Sequence, residues 1–194
     1  METLPCLFER IRGCRLCEAQ LPLGPRPVIR GSEQSRLLIV GQAPGTRVHA
    51  SGIPWDDASG ERLRHWLALD KDRFYDESHI AIMPMGLCYP GRGRSGDLPP
   101  RPECAPLWHH QVLALMPNIE LTLLVGQYAQ QFYLGKSFRG SLTETVTHWR
   151  AFAPTLVPLP HPSPRNTLWL KKNPWFEVEV VPFLRQRVAQ LLAT

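Results

Sequence analysis

Arg36-Leu37-Leu38-Ile39-Val40-Gly41-Gln42-Ala43-Pro44-Gly45 is the stretch on which the reading of the fold turns. Leu37 to Val40 is a short continuous apolar run, the pattern of a strand buried on both faces of a parallel sheet. It ends at Gly41 and enters Gln42-Ala43-Pro44-Gly45, where glycine permits positive φ and proline fixes its own. In an open α/β sheet, ligands bind outside the carboxyl ends of the strands, which is where this turn would lie. An ordinary strand-to-loop turn reads the same way, so the flanking sequence has to decide.

Working outward, helical spacing of Leu63, Trp66 and Leu67 predicts a helix from Ser59, and His79 to Pro84 fits a second strand. Tyr89 to Pro102 is rich in glycine, proline and arginine and reads as a long irregular loop, a feature that is usually functional in compact domains. A helix over 103–116 leads to a third strand at 120–126 and a helix at 127–134. A fourth strand fits 155–160, and a last helix runs from about Trp175 to Leu192. On the N-terminal side, residues 5–20 read as a short helix or turn, and 21–27 as a proline-rich loop. Strands alternating with helices imply a mostly parallel, helix-flanked sheet, expected as one domain over 1–194. The loops at 41–45, 84–88, 126–127 and 161–166 would then emerge along one edge.

The composition is that of an ordinary soluble globule, 43% hydrophobic and 20% charged. No apolar run approaches the roughly 18 residues of a membrane span, and the N-terminus lacks the apolar core of a signal peptide. A cytoplasmic protein, a monomer without membrane contact, is the expectation. The formal charge is +5, and all but four of the 22 basic residues are arginine. Arginine presents a planar fork suited to phosphate, which tilts the partner toward nucleic acid. Coding bias would also enrich arginine, so charge alone decides little.

Five cysteines occur. Cys14 and Cys17 form a CxxC pair, and Cys88 and Cys104 are separated by fifteen residues. Disulfides explain this poorly in a cytosolic protein, whereas four thiolates converging on zinc or an iron–sulfur centre explain it well. Spacing does not separate the two metals. Such a centre would staple the N-terminal segment to the loop after the second strand and hold Arg92, Arg94 and Arg101 on one face. Cys6 has no partner in this scheme and reads as a spare apolar residue.

Taken together, the order of motifs resembles the uracil-DNA glycosylase superfamily, and most of all its iron–sulfur, family 4-like branch. CxxC is followed by Gly41-Gln42-Ala43-Pro44-Gly45, Gly52-Ile53-Pro54-Trp55, Cys88 and Cys104, Val125-Gly126 and His161-Pro162-Ser163-Pro164. The resemblance implies a three-layer α/β/α sandwich with a four-stranded parallel sheet. It also implies a four-iron, four-sulfur cluster held by Cys14, Cys17, Cys88 and Cys104, with zinc as the alternative. The implied activity is that of a DNA repair enzyme, which flips uracil or a related deaminated base from DNA and releases it by hydrolysis. By position, His161 would bond the oxygen of the departing base, and Trp55 would stack on the flipped base or serve in the core. Gln42 would position the attacking water, with Gly41, Ala43, Pro44 and Gly45 along the base edge. Ser163, Pro164 and Arg165 would press on the minor groove, and Arg165, Asn166, Leu168 or Trp169 would supply the wedge.

The chain departs from the family pattern in two places. The branch usually carries glutamate where Gln42 stands, and another branch carries aspartate where Ala43 stands; neither residue present can take a proton from water. Pro84 replaces an asparagine that reads the base, and offers no donor. Asp56 and Asp57 could supply a carboxylate from a neighbouring position, or could simply charge a helix N-terminus. No lysine sits near the motifs to attack the sugar, so the expected enzyme is a monofunctional glycosylase. The alternative is a DNA-binding protein that keeps the fold and cluster with weak or no catalysis.

Overall fold

Every residue of β1 (Leu37–Val40) is fully buried, as a strand covered on both faces requires. The computed structural model describes residues 1–193, so Thr194, the last residue of the expected domain, lies outside the description. Before β1 comes α1 (Leu4–Arg12). After it the chain forms α2 (Thr46–Ser51), α3 (Ala58–Leu67), α4 (Lys71–Phe74) and β2 (Ile80–Ile82). Two short strands follow, β3 (Arg92–Gly93) and β4 (Gly96–Asp97), then α5 (Cys104–Ala114), β5 (Leu121–Val125) and α6 (Gln127–Leu134). The remainder is α7 (Leu142–Thr147), β6 (Leu156–Leu159), α8 (Thr167–Lys172) and α9 (Val181–Leu192).

The main sheet has four strands in the order β2-β1-β5-β6, every neighbouring pair parallel. Side chains alternate between its faces with period two. Leu37, Ile39, Leu121 and Leu123 join a cluster with Leu63 and Trp66 of α3, Val146 of α7 and Leu184 and Val188 of α9. Leu38, Val40, Ala81 and Leu124 join another with Leu7 and Ile11 of α1, Trp108 and Val112 of α5 and Ala129 of α6. The result is the three-layer α/β/α arrangement expected from the sequence. The chain leaves β1 toward β2 on one side, and leaves β5 toward β6 on the other. Adjacent strands whose connections diverge open a crevice at their carboxyl ends. No helix among the described residues is long and apolar enough to cross a membrane.

Several expectations change. The stretch 89–102 is not wholly irregular: Arg92 pairs with Asp97 and Gly93 with Gly96 in a tight antiparallel hairpin. Gly96 supplies the positive φ of 139° that the hairpin needs. The last helix does not start as α-helix at Trp175. Phe176–Val180 is a π turn, and the α-helix begins just before Pro182, whose missing N–H cannot continue the ladder. Trp169 sits in α8 rather than in a loop, packed on the core with its indole N–H on the Thr143 hydroxyl at 2.8 Å. Cys6, read as a spare apolar residue, is exposed on α1, because the buried face of that helix is Leu4, Leu7, Phe8 and Ile11.

One buried polar group ties the helical layer to the end of β2. His109 on α5 is fully buried, with Nδ1 2.8 Å from the Tyr133 hydroxyl and Nε2 3.0 Å from the Pro84 carbonyl. A carbonyl can only accept, so Nε2 carries the proton and Nδ1 accepts from tyrosine. Burial pushes the pKa of His109 down to about 4, away from the ordinary 6.5. Between those values the unfolded chain takes a proton that the folded chain refuses. The contribution of His109 to stability is therefore complete above the ordinary histidine range and falls as pH drops toward 4, at up to about 1.4 kcal/mol per pH unit. Urea unfolding over this window is expected to show that slope in the wild type and a flatter one in His109→Asn.

Candidate functional site

At the carboxyl edge of the sheet lies a cavity of about 490 Å3. Gly41, Gln42, Ala43, Pro44 and Gly45 after β1 line it, with Pro84 after β2 and His161, Ser163, Arg165 and Asn166 after β6. Trp55, Asp57 and the hairpin complete the wall. The loop at 126–127 is not part of the lining; Gly126 there donates its N–H to Leu159 and starts α6. The first two loops are stitched together, since Met85 N–H donates to the Gly41 carbonyl and Gly86 N–H to that of Gln42, both at 2.9 Å. The half-buried Gln42 carboxamide has no protein hydrogen-bond partner among the described residues and is free for a ligand. Pro84 lines the cavity, and its carbonyl is taken by His109.

Trp55 has φ of +62°, a left-handed backbone that a bulky side chain rarely adopts. Three contacts hold it. Buried Arg64 donates from Nη1 to the Trp55 carbonyl at 3.0 Å, and the Tyr75 hydroxyl donates to the preceding carbonyl of Pro54 at 2.7 Å. Gly60 passes so close that a Cβ there would lie 1.6 Å from the Trp55 oxygen. The indole in turn lies over Gly41, where a Cβ would meet its ring at 2.8 Å. Trp55 is only 9% exposed and belongs to the core, yet its ring stands 5.6 Å from that of His161, the planes 34° apart, and borders the cavity. Core packing and cavity lining coexist in one side chain.

His161 is oriented by its own loop. The Ser163 N–H donates to His161 Nδ1 at 3.1 Å, and Asn166 Nδ2 donates to the His161 carbonyl at 2.8 Å. With Nδ1 accepting, the proton of the neutral ring sits on Nε2, available as a donor. Burial lowers the pKa of His161, and the nearby Asp57 charge offsets part of that, so the ring is neutral at pH 7. Arg62 on α3 braces the loop from outside, reaching the Ser163 carbonyl at 3.2 Å and the Thr167 hydroxyl at 3.1 Å. Arg165 bridges from the loop to the Ser95 carbonyl of the hairpin. Of the residues considered as a wedge, Leu168 is 61% exposed, whereas Trp169 is tied into the core.

The acids separate. Asp56 turns away from the cavity and pairs with Lys71 at 3.2 Å. Asp57 lines the cavity, but its Oδ1 accepts the Gly60 N–H at 2.8 Å as the N-cap of α3. Arg92 lies on the cavity rim, while Arg101, expected beside it, is paired with Glu103 at 2.6 Å near Cys17.

Cys14, Cys17, Cys88 and Cys104 are free thiols, each partly buried. Burial pushes the Cys88 thiol up to about 11 and Cys104 up to about 12, and the other cysteines add to both. The Leu87 N–H points at Cys104 Sγ from 3.3 Å, a contact that a thiolate strengthens. No group of three or more His, Cys, Asp or Glu among the described residues stands in metal-ligating geometry. Four soft thiol donors within electrostatic reach of one another nevertheless match in chemistry what iron–sulfur or zinc binding demands.

Fold and cavity define an α/β protein that can enclose a flat, polar-edged ligand between an indole, a neutral imidazole and a free carboxamide. More specifically, the chain belongs to the uracil DNA glycosylase superfamily, whose sequence model matches residues 28–185. Within it the chain resembles the family 4-like branch. It is 28% identical over 132 residues to the type-4 uracil-DNA glycosylase of Archaeoglobus fulgidus, covering 68% of this chain and 64% of that protein. To the type-4 uracil-DNA glycosylase of Sulfurisphaera tokodaii it is 25% identical over 141 residues, covering 70% and 60%. The match thus spans a little under two thirds of the length of these relatives.

Sequence reasoning missed Arg62, Arg64, Ser95 and Asp97. The two arginines carry no local signal, being recruited by loops distant in sequence. The local signal for the hairpin was the pair of glycines bracketing Arg94-Ser95, Gly93 and Gly96, which pair with each other. Because Gly60 has no room for a side chain, Gly60→Ala is expected to displace Trp55 and cost about 3 kcal/mol or more. Denaturant unfolding, with tryptophan fluorescence as the local probe, measures both effects.

Proposed function

We propose that this chain is a monofunctional DNA glycosylase that releases uracil or a related deaminated base, such as hypoxanthine or xanthine, from DNA. The observation that carries the reading is His161, a neutral donor fixed by Ser163 and Asn166 on the same cavity as Trp55 and Gln42. A base flipped into the cavity would lie against the Trp55 indole. As its bond to the sugar lengthens, the electron pair stays with the base, and negative charge grows on its carbonyl oxygen. His161 Nε2–H donates to that oxygen and lowers the barrier, more effectively because it is held in place beforehand. Gln42 is suited to the amide edge that uracil, hypoxanthine and xanthine share, a role that Pro84 cannot fill. Water completes the exchange, as no lysine is found among the described residues lining the cavity.

DNA would be gripped by Arg92 and Arg165 on the rim, with exposed Leu168 as the wedge into the gap left by the base. Cys14, Cys17, Cys88 and Cys104 would hold a four-iron, four-sulfur cluster, with zinc as the alternative occupant of the same thiols. Its contribution when bound is structural, tying the end of α1 to the loop after β2 and to the start of α5. A cytoplasmic monomer of one domain over 1–194 is the setting this reading implies.

Base release from matched duplexes carrying uracil, hypoxanthine, xanthine or no lesion tests the activity. Release is expected from at least one lesion, and His161→Ala is expected to lower it by about 10²- to 10³-fold. Binding without release from any duplex would instead favour a protein that only recognises damage. For the metal, protein purified without oxygen is expected to be brown and to contain iron. Cys88→Ser or Cys104→Ser should lose that iron together with thermal stability.

A further inference from the structure

Two carboxylates line the cavity, and they are held differently. Asp57 commits one oxygen to capping α3. Asp97, on β4, has no hydrogen-bond or ion-pair partner among the described residues, although Arg92 faces it across the hairpin register. Its Oδ2 lies 3.5 Å from where a Cβ on Gly45 would stand, so the carboxylate overhangs the turn after β1. This placement is braced. Leu98 N–H closes the hairpin on the Gly91 carbonyl at 2.8 Å, and Arg165 reaches across to the Ser95 carbonyl. Gly96 leaves the room for that guanidinium, since a Cβ there would come within 2.3 Å of Arg165 Nη1. On a rim meant for phosphate, an unpaired acid weakens binding, and such a cost calls for a compensating role. The turn itself supplies no proton acceptor, because residues 42 and 43 are Gln42 and Ala43.

We infer that Asp97 is a catalytic residue, the general base for the attacking water; this rests on the glycosylase reading above. The bond from C1′ to the base nitrogen breaks, and its electron pair leaves with the base as an anion bonded to His161 Nε2–H. The water oxygen forms its bond to C1′ while one of its protons passes to the Asp97 carboxylate. Asp97 then returns that proton to solvent, from which the free base anion takes one up. The carboxylate that the turn lacks is thus delivered from the hairpin, and Gly45 keeps the approach open.

The test uses the full chain and single-turnover base release from whichever duplex the wild type acts on. Asp97→Asn and Asp97→Ala are expected to slow release by about 10²-fold or more, with Asp97→Glu recovering part of the loss. Binding to a duplex with a tetrahydrofuran abasic-site analogue is expected to persist in all three. Added formate should speed Asp97→Ala and leave the wild type unchanged, which a merely structural aspartate would not do. Wild-type rates in Asp97→Asn, with collapse in Asp57→Asn, would overturn the assignment and leave the glycosylase reading standing. No release by the wild type from any duplex would overturn both.

Discussion

The carbonyl of Trp55 meeting the bare α-carbon of Gly60 is the contact on which the site depends. A tryptophan at φ +62° carries strain of about 1–3 kcal/mol and persists only where its surroundings over-determine it. Here Gly60 supplies the space, Arg64 the hydrogen bond, and Tyr75 the anchor one residue earlier. Arg64 is only 5% exposed and lies 5.4 Å above the Phe74 ring, so its charge is satisfied inside the protein rather than in water. The strain turns the indole back over Gly41. Were position 41 any larger residue, the ring would be pushed off the end of β1 and away from His161.

From that contact the other parts of the cavity follow in sequence. The indole closes one side of His161, and burial keeps the imidazole neutral. The loop that carries His161 is bonded on one side to α3 through Arg62 and on the other to the hairpin through Arg165. Loops that meet only in space are thereby held as one rigid wall. In the proposed reaction that rigidity would matter chemically, because a donor aimed in advance at developing charge needs no reorganisation. Arginine excess, which suggested nucleic acid, is therefore divided. Arg26, Arg36, Arg62 and Arg64 bind backbone carbonyls or neighbouring side chains within the protein. Among the described residues, Arg92 stays free on the rim, and Arg165 stands there while also holding the Ser95 carbonyl.

Much of this was readable along the chain, and the failures share a cause. The strands at 37–40, 80–82, 121–125 and 156–159 were legible because burial on both faces demands continuous apolar runs. His161 and Trp55 were legible because each sits beside turn residues in a recognisable motif. Asp56 and Asp57 were not separable in sequence, being adjacent. Only the direction of the chain at a left-handed Trp55 sends one to Lys71 and the other to the cavity. Trp169 misled for a related reason: proximity to a loop motif says nothing of which helical face meets the core.

By itself, then, the sequence determined the parallel sheet, the loops at its carboxyl edge, the four thiols and the imidazole, since these depend on local periodicity and on residue type. Tertiary structure alone decided the tautomer of His161, the capture of the Pro84 carbonyl by His109, and the arrival of Asp97 over the first turn. Each is a contact between segments far apart in the chain. Their pairing is set by how helices and loops pack on the sheet, and no local pattern encodes the geometry of packing.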